Sequence, residues 1–272
     1  MIRLALRVRR QDAEVALAEL LEVAPSGVEE RDLGDVVEYA VYGAPGELPA
    51  LPDLRAAAGG ALVEVATEEL PDDWSERWKA FHRPVEVGAG VRSLRVRPPW
   101  EPAGGGEEVV IDPAQAFGTG AHDTTRLCLE LLLELRPRGA CVDLGCGSGV
   151  LAIAAARLGW APVLGIDNER ESVRATLANA AVNGVTVEGR AHDLLRDGPA
   201  PAAPTVLANL LRPLLTRIAE DGFEGGAIPD RLIASGLLRH EAAEIAEAFA
   251  RLGLREAARR HRGDWAALLL ER

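Results

Sequence analysis

The stretch Cys141-Val142-Asp143-Leu144-Gly145-Cys146-Gly147-Ser148-Gly149, followed by Val150-Leu151-Ala152-Ile153-Ala154, admits few folds. Strand-forming residues lead into three alternating glycines, and the glycines lead into an apolar helix. Glycine lets a backbone turn sharply and lets a ligand approach the peptide groups closely at the mouth of a sheet. From residue 122 onward strands and helices alternate, the pattern of a doubly wound α/β sheet. Strands are expected at 140–144, 162–166, 185–188, 205–208, 230–235 and 264–270. Helices are expected near 122–135, 149–158, 169–182, 210–220 and 238–252.

A second anchor is Val163-Leu164-Gly165-Ile166-Asp167, a strand ending in an acid 22 residues after Gly145. A carboxylate there can accept hydrogen bonds from both hydroxyls of a ribose. The competing reading is a helix N-cap. The dinucleotide fingerprint G-x-G-x-x-G needs a third glycine where Val150 stands, which disfavours a nicotinamide-dependent oxidoreductase. Asp193, after the third strand, reads either as a neighbour of the adenine or as a solvated loop acid.

The length of 272 residues suits two modest domains, and 48% apolar with 26% charged residues is ordinary for a soluble protein. Residues 2–9, 11–22, 26–33, 35–42, 50–58 and 61–67 read as βαββαβ, the ferredoxin-like split motif. The expected organisation is therefore a domain over 1–70, a linker helix and hinge over 71–90 carrying Trp74 and Trp78, and the α/β domain over 91–272. Of the net charge of −12, residues 1–72 hold −9, from 15 Asp or Glu against six Arg. That front end repels nucleic acid and suits a basic protein partner, although plain solubility explains it equally well. No apolar run approaches the roughly 18–20 residues needed to span a bilayer. The first ten residues lack a signal-peptide core, so a cytoplasmic location is expected. Cys128, Cys141 and Cys146 match no zinc spacing and read as reduced thiols, and no metal site is expected.

The G-x-G-x-G turn, with Asp143 two residues before its first glycine, resembles the first motif of class I S-adenosylmethionine-dependent methyltransferases. Two further segments narrow this. One is Asp112-Pro113-Ala114-Gln115-Ala116-Phe117-Gly118-Thr119-Gly120-Ala121-His122-Asp123-Thr124-Thr125. The other is Val206-Leu207-Ala208-Asn209-Leu210-Leu211. With Ser235-Gly236-Leu237-Leu238 and Gly263-Asp264-Trp265, they resemble the bacterial ribosomal protein methyltransferase family PrmA. The resemblance covers the catalytic half and linker well, and the first 70 residues only in layout.

The resemblance implies a class I methyltransferase with a seven-stranded doubly wound sheet and a smaller α+β ferredoxin-like domain. It implies transfer of methyl groups from S-adenosyl-L-methionine to lysine and N-terminal amines of a large-subunit ribosomal protein, leaving S-adenosyl-L-homocysteine. The cofactor contacts it implies are Phe117, Gly118, Thr119, Gly120, Thr124, Thr125, Asp143, Gly145, Gly147, Asp167, Asp193 and Asn209. Asn209 can orient an amine by accepting its hydrogen bonds, or cap the helix that follows it. His122 is a candidate general base, with capping or packing as the competing role. Asn209 is followed by Leu-Leu-Arg-Pro, not by the Pro-Pro-Tyr of amide and base methyltransferases, which favours an aliphatic amine. The other functions in play are methylation of another protein lysine or a small-molecule amine, and a non-catalytic ribosome-assembly factor.

Overall fold

A computed structural model describes residues 2–13, 15–17, 20, 28–43, 59–69, 82–89, 92–113 and 120–272. The chain divides into two compact units, residues 1–81 and 82–272.

In the first unit, β1 (Ile2–Arg9), β2 (Glu29–Asp32), β3 (Val36–Gly43) and β4 (Leu62–Glu69) form one sheet in the order β2-β3-β1-β4. All pairings are antiparallel. Alternation places Leu4, Leu6 and Val8 of β1 beside Val37, Tyr39 and Val41 of β3 in one buried layer. Ala13, Ala16 and Leu20, all helical, complete that layer, and the Tyr39 hydroxyl donates to Ala13 O at 3.1 Å. The strand order is that of the ferredoxin-like motif. The expected helix at 50–58 and the segment with Trp74 and Trp78 lie outside the described residues.

In the second unit, seven strands run β10-β9-β8-β11-β12-β14-β13. They are β8 (Cys141–Leu144), β9 (Val163–Asp167), β10 (Glu188–Ala191), β11 (Thr205–Asn209), β12 (Arg231–Leu238), β13 (Arg255–Arg262) and β14 (Trp265–Glu271). β14 is antiparallel to both of its neighbours, and the pairings from β10 to β12 are parallel. The helices are α1 (Asp123–Glu134), α2 (Val150–Leu158), α3 (Arg170–Val182), α4 (Arg212–Asp221) and α5 (Ala242–Ala250).

Residues of α1 and α2 fill one apolar core, and residues of α4 and α5 fill another. Successive strand residues feed opposite cores: Val206 and Ala208 enter the second, and Leu207 enters the first. Strands covered on both faces in this way need buried residues along nearly their whole length, and β8 and β11 have them, with Asp143 the one charged residue among them. A second sheet joins β5 (Val85–Ala89), β6 (Arg92–Arg97) and β7 (Glu108–Val110). Its alternating Val85, Val87, Leu94, Val96 and Val109 join the first core.

Three elements differ from expectation. Residues 85–89, expected in the hinge, form β5, because Val85 and Val87 alternate with polar neighbours and pair with β6. The third strand of the main sheet lies at Glu188–Ala191, not 185–188. Val185 instead closes the end of α3, its N–H donating to Ala180 O at 3.1 Å, while Val187 is buried. β13 carries almost no apolar signal. It is a partly exposed edge strand whose arginines pair with acids, Arg260 with Glu134 and Arg262 with Glu130.

Candidate functional site

β8 lies between β9 and β11, so the strand order reverses beside it. Ligands of open α/β sheets bind at the carboxyl ends of the strands flanking such a reversal. Gly145–Gly149, Asp167 and Asn209 all follow or terminate strands at that edge: β8, β9 and β11 respectively.

Gly145, Gly147 and Gly149 all adopt left-handed φ, at 72°, 51° and 83°. Space is as restrictive as conformation. A Cβ at Gly145 would lie 2.5 Å from Leu210 Cδ2, and one at Gly149 would lie 2.9 Å from Thr176. The turn is tied to the next strand on its amide side. Gly145 N and Cys146 N both donate to Ile166 O at 2.9 and 2.8 Å, and Gly147 N donates to Asp167 Oδ2 at 3.0 Å. Asp167 Oδ1 accepts from Glu169 N at 3.0 Å. The N-cap of α3 is Glu169, so Asp167 is not the cap. Its half-buried carboxylate keeps acceptor lone pairs beside the turn, which is what a ribose diol needs.

Asp143 sits deeper. It is 1% exposed, its Oδ2 accepts from Ala152 N at 3.1 Å, and its Oδ1 has no hydrogen-bond partner among the described residues. Burial, opposed by the Ala152 bond and reinforced by the charge of Asp167, pushes its carboxyl up to about 7. Between the ordinary carboxylate value and that point the folded chain holds a proton the unfolded chain has released. Stability must therefore fall as pH rises through this window and level off above it. Asp143→Asn should remove the slope, so the variant gains on the parent in denaturant midpoint between about pH 5 and about pH 8. Parallel curves for the two proteins would contradict this titration.

Asn209 ends β11 and donates through Nδ2 to Thr125 Oγ1 at 3.3 Å, which leaves its Oδ1 as an acceptor at the sheet edge. The cap of α4 is Leu211, so Asn209 is not a cap either. Thr124 and Thr125 are buried in the first turn of α1. Ser235 Oγ lies 3.2 Å from Thr124 O and 3.1 Å from Ala266 O, which ties that turn to β12.

His122 caps α1. Its Nδ1 lies 2.8 Å from Thr124 Oγ1 and accepts from Thr124 N at 3.4 Å. The ring meets Trp265 edge-on with centroids 5.1 Å apart. Burial, against the pull of Asp123, holds it below the ordinary histidine pKa. Asp193 turns back on its own loop, with Oδ1 accepting from Leu195 N at 2.8 Å. Gly120 is buried with φ 82°, and a Cβ there would lie 2.7 Å from Val96. Phe117, Gly118 and Thr119 lie outside the described residues.

All three cysteines are buried free thiols, and burial pushes Cys146 up to about 12. Among the described residues no group of three or more His, Cys, Asp or Glu could hold a metal. None of their helices is long and apolar enough to cross a membrane.

Leu210 and Gly236 stand in the motifs quoted above without a role of their own, and Thr176 and Asn179 carry no motif at all. A Cβ at Gly236 would lie 2.4 Å from Leu210 O. The only available signal for the last two was their polarity on the buried face of an expected helix.

A family model described as ribosomal protein L11 methyltransferase (PrmA) matches residues 53–272. The chain belongs to this family. A ribosomal protein L11 methyltransferase from Geobacter sulfurreducens is 40% identical over 228 residues, covering 80% of this chain and 73% of that protein. One from Myxococcus xanthus is 34% identical over 284 residues, covering 96% of each. The crystal structure of a ribosomal protein L11 methylase from Lactobacillus delbrueckii subsp. bulgaricus superposes with a TM-score of 0.59 at 28% identity. That match covers 69% of this chain and 98% of the other. Membership makes this chain a methyltransferase and accounts for the doubly wound sheet with its antiparallel β14.

Proposed function

We propose that this family member transfers methyl groups from S-adenosyl-L-methionine to amines of ribosomal protein L11, in the cytoplasm. The observation carrying the reading is the joining of the glycine turn to Asp167 through the Gly147 bond, one strand away from Asn209. A nucleoside acceptor and an amine acceptor thus share one edge. The half-buried Asp167 carboxylate stands beside the turn, a setting that suits a sulfonium or ammonium group better than a pyrophosphate.

When bound, the cofactor supplies a methyl group on a positively charged sulphur, a good leaving group. What remains for the protein is to bind, orient and exclude water. Asp167 holds the ribose, and the glycine turn accepts the amino-acid end. Leu210, packed over Gly145, keeps water from that side. Asn209 Oδ1 accepts a hydrogen bond from the incoming neutral amine, and Thr125 fixes its amide so that the oxygen faces the site. The remaining residues assigned to the cofactor by resemblance, Phe117–Gly120, Thr124 and Asp193, belong to the same proposal. The acidic first unit holds a basic protein surface. Direct contact with nucleic acid or membrane is not part of the proposal.

In this reading His122 is a cap, not a base. His122→Ala should cost about 1 kcal/mol of stability and leave the methylation rate within a few-fold of the parent across the pH range. A tenfold loss above the pKa of the ring, where the parent imidazole is neutral, and absent below it would restore it as the base.

Calorimetry tests the cofactor assignment. The chain should bind S-adenosylhomocysteine and not NAD. Binding of NAD alone would overturn it, and binding of neither would favour a ribosome-assembly factor.

A further inference from the structure

The glycine turn has no side chain large enough to set its own shape, yet it must present one shape to a ligand. Its amide side is fixed by Ile166 and Asp167. Its carbonyl side is fixed by α3. Thr176 Oγ1 donates to Gly147 O at 3.0 Å, and Asn179 Nδ2 donates to Ser148 O at 2.9 Å. Both side chains are buried, at 0% and 2% exposure. Asn179 Oδ1 in turn accepts from Asp112 N at 3.1 Å, so one amide joins the turn to the chain leaving β7. One turn of helix further on, the Asn183 side chain bonds β7 and its own helix, and its main-chain carbonyl accepts from Arg157 of α2 at 3.1 Å. Its Oδ1 accepts from Val110 N at 2.8 Å, and its Nδ2 donates to Val110 O at 2.7 Å and to Asn179 O at 2.8 Å.

We infer that Thr176 and Asn179 are positioning residues that hold the glycine turn in its binding shape before the cofactor arrives. The inference rests on the cofactor reading above. Three left-handed glycines lose more conformational freedom on ordering than any other residues. A turn ordered in advance does not charge that loss to ligand binding, whereas a released one does. Thr176 and Asn179 therefore act on cofactor affinity and little on the transfer step.

Asn179 and Asn183 provide a matched pair, since Asn→Asp at either keeps the acceptor and, at a pH where the new carboxyl is ionised, removes the donor in the same buried setting. Asn179→Asp should weaken S-adenosylhomocysteine binding at least tenfold and raise the KM for S-adenosylmethionine in parallel, with kcat within about threefold. Asn183→Asp should destabilise the fold comparably and leave affinity within about threefold. Thr176→Val, nearly isosteric, should weaken binding severalfold and covers the case in which Asn179→Asp does not fold. Parental affinity in Thr176→Val or Asn179→Asp, or equal losses in both Asn→Asp variants, would overturn the inference. Failure of the parent protein to bind S-adenosylhomocysteine would instead overturn the cofactor reading.

Discussion

Gly236→Ala is expected to cut methyl transfer by on the order of 10²-fold, through misplacement of Asn209. Gly236 has φ 83°, a region that costs an alanine roughly 1–2 kcal/mol. The new Cβ would lie 2.4 Å from Leu210 O, 2.8 Å from Leu210 C and 3.1 Å from Leu210 N. All three are backbone atoms, so no side-chain rotation relieves the collision and the 209–210 segment must shift. Leu210 also covers Gly145, so the same shift disturbs the glycine turn. Overpacking adds about 1–3 kcal/mol of destabilisation. Gly253→Ala separates strain from displacement, because Gly253 has φ 88° with nothing within 4 Å of a Cβ. Gly253→Ala should lose stability and keep its rate per folded molecule. If Gly236→Ala also keeps its rate, the 209–210 segment does not position the reacting amine.

Asp167→Ala is expected to weaken S-adenosylhomocysteine binding by on the order of 10²-fold, given roughly 1.5–3 kcal/mol per charge-assisted hydrogen bond. Two effects combine. The ribose loses its acceptor, and Gly147 N loses the partner that anchors the turn to β9. Asp167→Asn keeps an acceptor oxygen and should fall between parent and alanine variant. Calorimetry at constant salt reads both. Affinities within about threefold of the parent in both variants would remove Asp167 from the site.

The glycine turn, Asp167 and Asn209 were legible in the sequence because each is a local event, a strand followed by a distinctive residue. The ferredoxin-like order of the first unit followed from period-2 alternation in β1 and β3. β13 was not legible, because an edge strand facing solvent needs no apolar alternation and Arg255–Arg262 has almost none. β10 was misplaced by two apolar residues that precede it, Val185, which closes α3, and Val187, which is buried in the first core. The partners of Gly236, Thr176 and Asn179 were invisible for a different reason: each meets residues 26 to 67 positions away in the chain. Polarity marked Asn179 as unusual on a buried helix face, and only the fold revealed that it spans the turn and β7. The cap role of His122 was one of two readings, and the 2.8 Å contact with Thr124 favours it.

The central claim is transfer of methyl groups to ribosomal protein L11, and the intact mass of that protein tests it most directly. After incubation with this chain and S-adenosylmethionine, L11 should gain mass in steps of one methylene each. Asn209→Ala should slow the gain sharply without abolishing S-adenosylhomocysteine binding. An L11 mass that stays unchanged while the chain demonstrably binds S-adenosylhomocysteine would contradict the account.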